Sequence, residues 1–215
     1  MSQTLDVANK LRSMIINMDI GPGEKLTERW AESVLGASRT PVRAAFQQLE
    51  SEELLRREGS RWFVAPIDVN ELKQLYIYRE VLEVAALKLT IESRKSAQTD
   101  KLSILLDLPM TCLTKHAQHD DAVDFHLRLA ELCDNPFIIN SLEKVLGQLA
   151  RTRWLEASPD NPAWHEHKVI IDAIQSQEYE KAIVSLSMHL KGNCNRLIES
   201  ITSQKRSLRA SGILV

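Results

Sequence analysis

The sequence has no stretch of about 18 apolar residues, so no transmembrane helix is expected. Its opening, MSQTLDVANKLRSM, sets Asp6, Lys10 and Arg12 among the apolar residues and lacks a signal-peptide core. Cysteine is scarce. Cys112, Cys133 and Cys194 are odd in number, far apart and without zinc-knuckle or C-x-x-C spacing, so they read as reduced thiols in a cytoplasmic protein. Internal repeats and low-complexity segments are absent. A charge excess is absent too: the formal net charge of -2 gives no global sign of nucleic-acid binding, yet a local basic patch is enough to hold phosphates. What remains is a globular composition, 44% hydrophobic and 26% charged over 215 residues, with room for one large or two small domains.

Two patterns divide the chain. Residues 1–67 hold short helical patterns, turn signals and one aromatic-rich strand, whereas 68–204 read as helical throughout. Leu5, Ala8, Leu11, Ile15 and Met18 recur at helical spacing, and that helix stops before Ile20-Gly21-Pro22-Gly23. Thr27 can cap a second helix that runs to Leu35, with Gly36 where a C-terminal glycine belongs. A third helix is predicted with Thr40 as N-cap and Pro41 as first helical residue. Val42, Phe46 and Leu49 give it one apolar stripe. Residues 54–57 and 61–64 read as a hairpin around Glu58-Gly59-Ser60.

Pro66 marks the boundary. Asp68 followed by Glu71 looks like a capping box that opens a long helix through about Ser93. A polar stretch at 95–100 and a break at Pro109 follow. Helices are expected at about 119–133, 137–155, 163–176 and 178–203, with a loop at 158–162. The tail from Ser203, with Lys205, Arg206 and Arg209, reads as a frayed end. The predicted fold is therefore mainly α: a winged helix-turn-helix over 1–67 and an all-helical bundle over 68–215.

Helix, helix, turn, helix, hairpin is the order of a winged helix-turn-helix, whose second paired helix enters the major groove. Here that helix begins with Arg39 and Arg43. Cations are unfavourable at a helix N-terminus, unless a phosphate or guanine edge meets them there. Ser38 and Thr40 add short donors for phosphate oxygens, and Arg29 on the preceding helix can reach the backbone beside them. At the wing tip, Gly59 and Ser60 lie between Arg57 and Arg61, and a glycine there permits close approach to a groove.

The run Gly23-Glu24-Lys25-Leu26-Thr27-Glu28, followed by Leu35-Gly36-Ala37-Ser38-Arg39-Thr40-Pro41-Val42-Arg43, resembles the DNA-binding signature of the GntR family. The resemblance implies operator contacts from Arg29, Arg39, Thr40, Arg43 and Gly59. Two positions depart from the family pattern: Ala44 stands for the usual Glu, and Glu53 for the usual Gly before the wing strand. The helical segment resembles the family's FadR-type C-terminal domain, the FCD domain, over most of 70–203. Tyr78-Arg79-Glu80-Val81-Leu82-Glu83, Phe125-His126, Asn135-Pro136, His167-Lys168-Val169-Ile170 and His189-Leu190 carry that likeness.

His126, His167 and His189 each share an apolar helix face with aliphatic neighbours, so three imidazoles are expected in one interior. Many members of the family are implied to bind a divalent metal through three histidines and an aspartate one turn before the first. That position is Ala122 here; Asp121 and Asp124 flank it and point elsewhere. Zinc or nickel is the expected ion. Three neutral ligands would leave its full charge, to be met by a carboxylate effector clamped bidentately by Arg79. Arg79 can alternatively pair with Glu83 one turn on. Arg79 and Asn135 are the candidate effector-binding residues. His116, His119 and His165 read as surface residues, and His165-Glu166-His167 does not match H-E-x-x-H.

The function expected is a DNA-binding transcriptional regulator, a repressor in the family's commoner mode, acting as a homodimer on a palindromic operator in double-stranded DNA. A small organic acid in the helical domain would shift operator affinity, with the hinge near 66–70. Two alternatives remain open at this point. One is a metal-dependent enzyme on the three-histidine site, without a poised general base. The other is a DNA-binding dimer with no ligand.

Overall fold

The computed structural model describes residues 3–93, 125–155, 162–203 and 213–214. The 95–100 stretch, Pro109, Cys112, His116, His119, Asp121, Ala122, Asp124, the loop at 158–161 and the basic tail residues lie outside the described residues. The chain divides into two compact units. The first comprises Met1–Leu72, Gly147–Glu156 and Glu199–Val215; the second comprises Lys73–Leu146 and Ala157–Ile198.

In the first unit, α1 (Gln3–Ile16), α2 (Glu28–Leu35) and α3 (Arg39–Ser51) pack with a small sheet of β1 (Lys25–Leu26), β2 (Leu55–Glu58) and β3 (Arg61–Val64). The sheet is antiparallel in the order β1-β3-β2, with Leu26 opposite Trp62 and Leu55 opposite Val64. The core is the apolar stripe of each helix closed over the inner face of β3: Leu11, Ile15, Ala31, Phe46, Leu49 and Trp62 are buried together. Phe46 meets Trp62 edge to face, with centroids 5.5 Å apart. Arg12 forks onto Glu52 through Nε at 2.8 Å and Nη2 at 2.6 Å, fastening α1 to the end of α3.

Local chemistry sets the turns. Thr27 caps α2 by accepting from Trp30 N at 3.1 Å, and Gly36 ends it in the left-handed conformation, φ 62°. The third helix starts earlier than the sequence suggests: Ser38 is its N-cap and Arg39 its first residue, so Thr40 and Pro41 lie inside the first turn. Pro41 is tolerated because amides of the first turn have no intrahelical acceptor to lose. At Glu53, where the pattern the chain resembles has a glycine, the backbone still takes φ 59°. The turn into the wing is therefore kept, by a side chain that disfavours it. The two-residue β1 carries no periodicity and was not foreseen from sequence.

Asp68 Oδ1 accepts from Asn70 N at 2.7 Å and Glu71 N at 3.2 Å, opening α4 (Val69–Ser93). Also in the first unit, β4 (Ile67–Asp68) pairs in parallel with β5 (Ile213–Leu214), and a 3-10 turn spans Ala150–Leu155. Buried Arg151 in that turn donates from Nη1 to the carbonyl of Ala65 at 2.6 Å. Burial, and then Arg56, lower its pKa to about 10.

In the second unit, α4 packs with α5 (125–131), α6 (Pro136–Leu149), α7 (Ala163–Gln175) and α8 (Tyr179–Ser203). Leu87, Phe125, Leu129, Ile170, Leu186 and Leu190 form its core. Among the described residues, no helix is long and apolar enough to cross a membrane.

Candidate nucleic-acid interface and metal centre

The first candidate site is a groove of about 640 Å³ between the start of α3, β1 and the β2–β3 wing. Five of its eleven lining residues are basic, Lys25, Arg39, Arg43, Arg57 and Arg61, with Glu28 the one acid among them. Arg39 and Arg43 lie one turn apart on α3, with side chains 70% and 54% exposed. Glu28, first residue of α2, accepts from Arg39 Nε at 2.6 Å and from Arg43 Nε at 2.9 Å and Nη2 at 3.2 Å. Hydrogen bonds from Arg43 and then Arg39 hold its carboxyl below the usual range.

Ser60 lines the groove at the wing tip, beside Gly59 at φ 60°, while Arg57 lies over the Trp62 ring at 5.4 Å. Ser38 and Thr40 are exposed at the start of α3, and Arg29 is exposed on α2 without lining the groove. The arrangement offers a concave surface lined by guanidinium and ammonium donors, which suits a phosphate-lined double helix.

The second candidate site is built on four helices of the second unit. His126 from α5, His167 from α7 and His189 from α8 are all buried, each 2–3% exposed. Their candidate ligand nitrogens lie within 4.8 Å of one another. His189 Nε2 is 3.1 Å from His167 Nε2 and 3.2 Å from His126 Nε2. Glu83 Oε2 from α4 is 2.6 Å from His126 Nδ1, and Glu166 Oε2 is 2.7 Å from His189 Nδ1.

A carboxylate facing Nδ1 accepts its N–H, so Glu166 keeps the His189 proton on Nδ1 and leaves Nε2 as a lone pair turned inward; Glu83 faces His126 Nδ1 in the same way, although burial raises its carboxyl pKa against the pull of Arg79. Burial first, and nearby cations after it, keep His126 and His167 well below the ordinary imidazole pKa; burial lowers His189 too, against the pull of Glu166. Neutral imidazoles with facing lone pairs are poor neighbours without a cation between them. They are the donor set zinc prefers, and tetrahedral coordination at its usual bond lengths separates such nitrogens by about 3.3 Å. The residues present therefore fit a divalent ion held by His126, His167 and His189.

Around this cluster the polar groups are ordered. Arg79 donates from Nε to Glu83 Oε1 at 2.6 Å, and both side chains are buried. Among the described residues that is the one side-chain hydrogen bond of Arg79, and its guanidinium also lies over the Tyr76 ring at 5.7 Å. Glu166, held at a pKa of about 2 by His189 and then Arg196, accepts a two-pronged contact from Arg196 at 2.9 and 3.0 Å. Arg196 also donates to Asn193 Oδ1, which turns the Asn193 amide nitrogen toward His189 Nε2 at 3.0 Å.

Asn135 sits apart from these contacts. Its Oδ1 caps α6, accepting from Phe137 N at 3.1 Å and Ile138 N at 3.4 Å. Ala122 lies outside the described residues. Sequence reasoning did not single out Glu28, Glu166 or Asn193. The available signals were weak: a carboxylate at a helix start, one adjoining His167, and an amide one turn after His189.

Residues 3–64 match the family of bacterial regulatory proteins named gntR, and residues 74–192 match the FCD domain family. The chain is 27% identical over 206 residues to the uncharacterised HTH-type transcriptional regulator YdhC of Bacillus subtilis, covering 90% of each chain. It is 26% identical over 195 residues to the gluconate operon transcriptional repressor of the same organism, covering 85% of this chain and 79% of that one. Among solved structures, a GntR protein from Rhodococcus sp. RHA1 superposes with a TM-score of 0.73 at 25% identity, covering 93% of this chain and 99% of the other.

Proposed function

The chain belongs to the gntR family of bacterial regulatory proteins and carries an FCD domain, and on that premise we propose that it is a repressor whose operator affinity is set by a small carboxylate bound at a metal-bearing histidine cluster. It is a DNA-binding transcriptional regulator and not an enzyme, as are its relatives. Repression is the mode named for the gluconate operon relative. It would act in the cytoplasm, on double-stranded DNA.

In this reading Arg39, Arg43 and Ser60 face the DNA in the groove, Ser38 and Thr40 meet phosphates at the start of α3, and Arg29 and Gly59 approach the backbone. His126, His167 and His189 would hold a divalent ion, zinc or nickel, which supplies a positive centre able to accept a carboxylate oxygen. Glu83 and Glu166 orient two of the imidazoles. Arg79, anchored through Nε, keeps its terminal nitrogens for the effector's carboxylate. Asn193 presents a donor beside the same space. Asn135 is retained as an effector-binding candidate through its amide nitrogen only, since its oxygen is committed to α6.

A palindromic operator calls for two copies. Support for a homodimer comes from a stripe of exposed apolar side chains in the second unit: Ile77 and Val81 on α4, Val184 and Met188 on α8. The two halves of the stripe are joined where Lys191 meets Glu80 at 3.0 Å.

The observation that carries the effector reading is the buried set of three inward Nε2 atoms beside an anchored arginine. Metal content of untagged protein, prepared without chelator, tests it. About one ion per chain is expected, absent from the variant His126→Ala, His167→Ala, His189→Ala. Gluconate and other small hydroxy acids should then raise the melting temperature of the wild type and not of Arg79→Ala. No ion after incubation with zinc or nickel would discard the metal-centred sensor.

A further inference from the structure

Glu28 stands in the wrong place for a protein that only needs to hold DNA. A carboxylate facing a polyanion opposes binding, and this one lines the basic groove. Its position as first residue of α2 favours a negative charge, through the helix dipole. That alone explains a carboxylate but not what it does with its oxygens. Both are spent on arginines 11 and 15 residues further on, and the side chain is only 18% exposed while its partners reach 70% and 54%.

The geometry is selective about which edge of each guanidinium it takes. Arg39 gives only Nε, so both of its terminal nitrogens remain outward. Arg43 gives Nε and one hydrogen of Nη2, leaving Nη1 and the second Nη2 hydrogen. The pair Nη1 and Nη2 on one arginine is the donor fork that fits O6 and N7 of guanine. An arginine that swings freely pays its rotamer entropy on binding and can settle equally well on a phosphate; one gripped by Nε does neither.

Resting on the DNA-binding reading above, we propose that Glu28 is a specificity-determining residue: it holds Arg39 and Arg43 by their Nε edges so that their terminal nitrogens meet guanine edges rather than phosphates. The same negative charge penalises any register in which those arginines would collapse onto the backbone. Glu28 thus lowers affinity for arbitrary DNA and raises it for the right sequence.

The test uses full-length protein. A preferred duplex is first enriched from a randomised pool by the wild type, and a scrambled duplex of the same composition is made beside it. Affinities for both are measured at one salt concentration for the wild type, Glu28→Gln and Glu28→Asp. For Glu28→Gln, binding to the enriched duplex is expected to weaken about tenfold while binding to the scrambled duplex tightens. Glu28→Asp keeps the charge at the helix start but shortens the arm, so the preference should fall without that tightening, and it guards against a folding defect in the first variant. Equal tightening on both duplexes would make Glu28 a plain electrostatic brake and overturn the proposal. Unchanged affinities would reduce it to a surface ion pair. A wild type that enriches no duplex and binds neither would overturn the DNA-binding reading itself.

Discussion

The two candidate sites contain the same chemical pair in opposite surroundings. Arg39 meets Glu28 at 2.6 Å in the groove of the first unit, and Arg79 meets Glu83 at 2.6 Å beside the histidines of the second. Arg39 is 70% exposed, whereas Arg79 is 7% and Glu83 1%. Equal distance does not mean equal energy. In water the pair gains little and is screened by salt; in the interior each charge has lost its hydration and depends on its partner. The exposed pair therefore keeps the terminal nitrogens of its arginine in water and open to a ligand, while the buried one holds other groups still. A DNA interface needs the first property, and the metal and effector centre proposed for the histidines would need the second.

That contrast can be broken most directly by removing each carboxylate. Glu83→Ala should destabilise the folded chain by about 3–5 kcal/mol in urea denaturation, because Arg79 and His126 Nδ1 both lose their acceptor. Glu28→Ala should stay within about 1 kcal/mol of the wild type. Similar losses for both would show that burial is not what separates the pairs.

Acid should sharpen the same contrast. The histidine pKa values are lowered by folding, so the unfolded chain takes up protons first as pH falls below about 6.5. Their stabilising contribution is complete above that value and is lost progressively beneath it. Metal-free protein in chelator should thus melt at a lower temperature at pH 5.5 than at 7.5. The triple histidine-to-alanine variant should show a smaller drop, and an equal drop in both would place the acid sensitivity elsewhere.

In the exposed region the expected effects lie on DNA instead. Arg43→Ala should weaken binding to an enriched duplex by about 1–3 kcal/mol and relax its preference at one base pair. Arg29→Ala should weaken all duplexes alike, as a backbone contact does. Competition binding with single-base variants separates the two behaviours. The smallest expected change is Glu53→Gly, which relieves the left-handed backbone and should stabilise by about 0.5 kcal/mol after the added freedom of the unfolded glycine. A loss of stability there would mean that the Glu53 side chain contributes more than its conformation takes away.

The head was the more legible half because its signals are local. Thr27 and Gly36 announce the ends of α2 within the residues that form them, and Gly59 announces the wing turn. The start of α3 lies two residues before the Thr40 cap that the sequence suggests: Ser38 takes the N-cap position without a side-chain hydrogen bond. The histidines were legible for a different reason, as polar residues on otherwise apolar helix faces. Their partners were not. Glu83 lies 43 residues from His126 and Glu166 lies 23 from His189, and each looks like any helix-surface carboxylate until packing brings them together. Asn135 was legible as part of a family motif, yet its side chain also serves a task common to many asparagines, closing the start of a helix.

The buried guanidinium of Arg151 has a consequence for any attempt to trade parts between regulators. It ties the carbonyl of Ala65 to a segment 86 residues later in the sequence, and the compact unit that holds the wing also takes in Gly147–Glu156 and Glu199–Val215. A head cut after Asp68 and moved alone would leave the Ala65 carbonyl without its Arg151 donor and the strand at Ile67–Asp68 without Ile213–Leu214. Exchangeable heads would have to travel with those two distant pieces, so the genetic seam and the physical seam of this protein are different places.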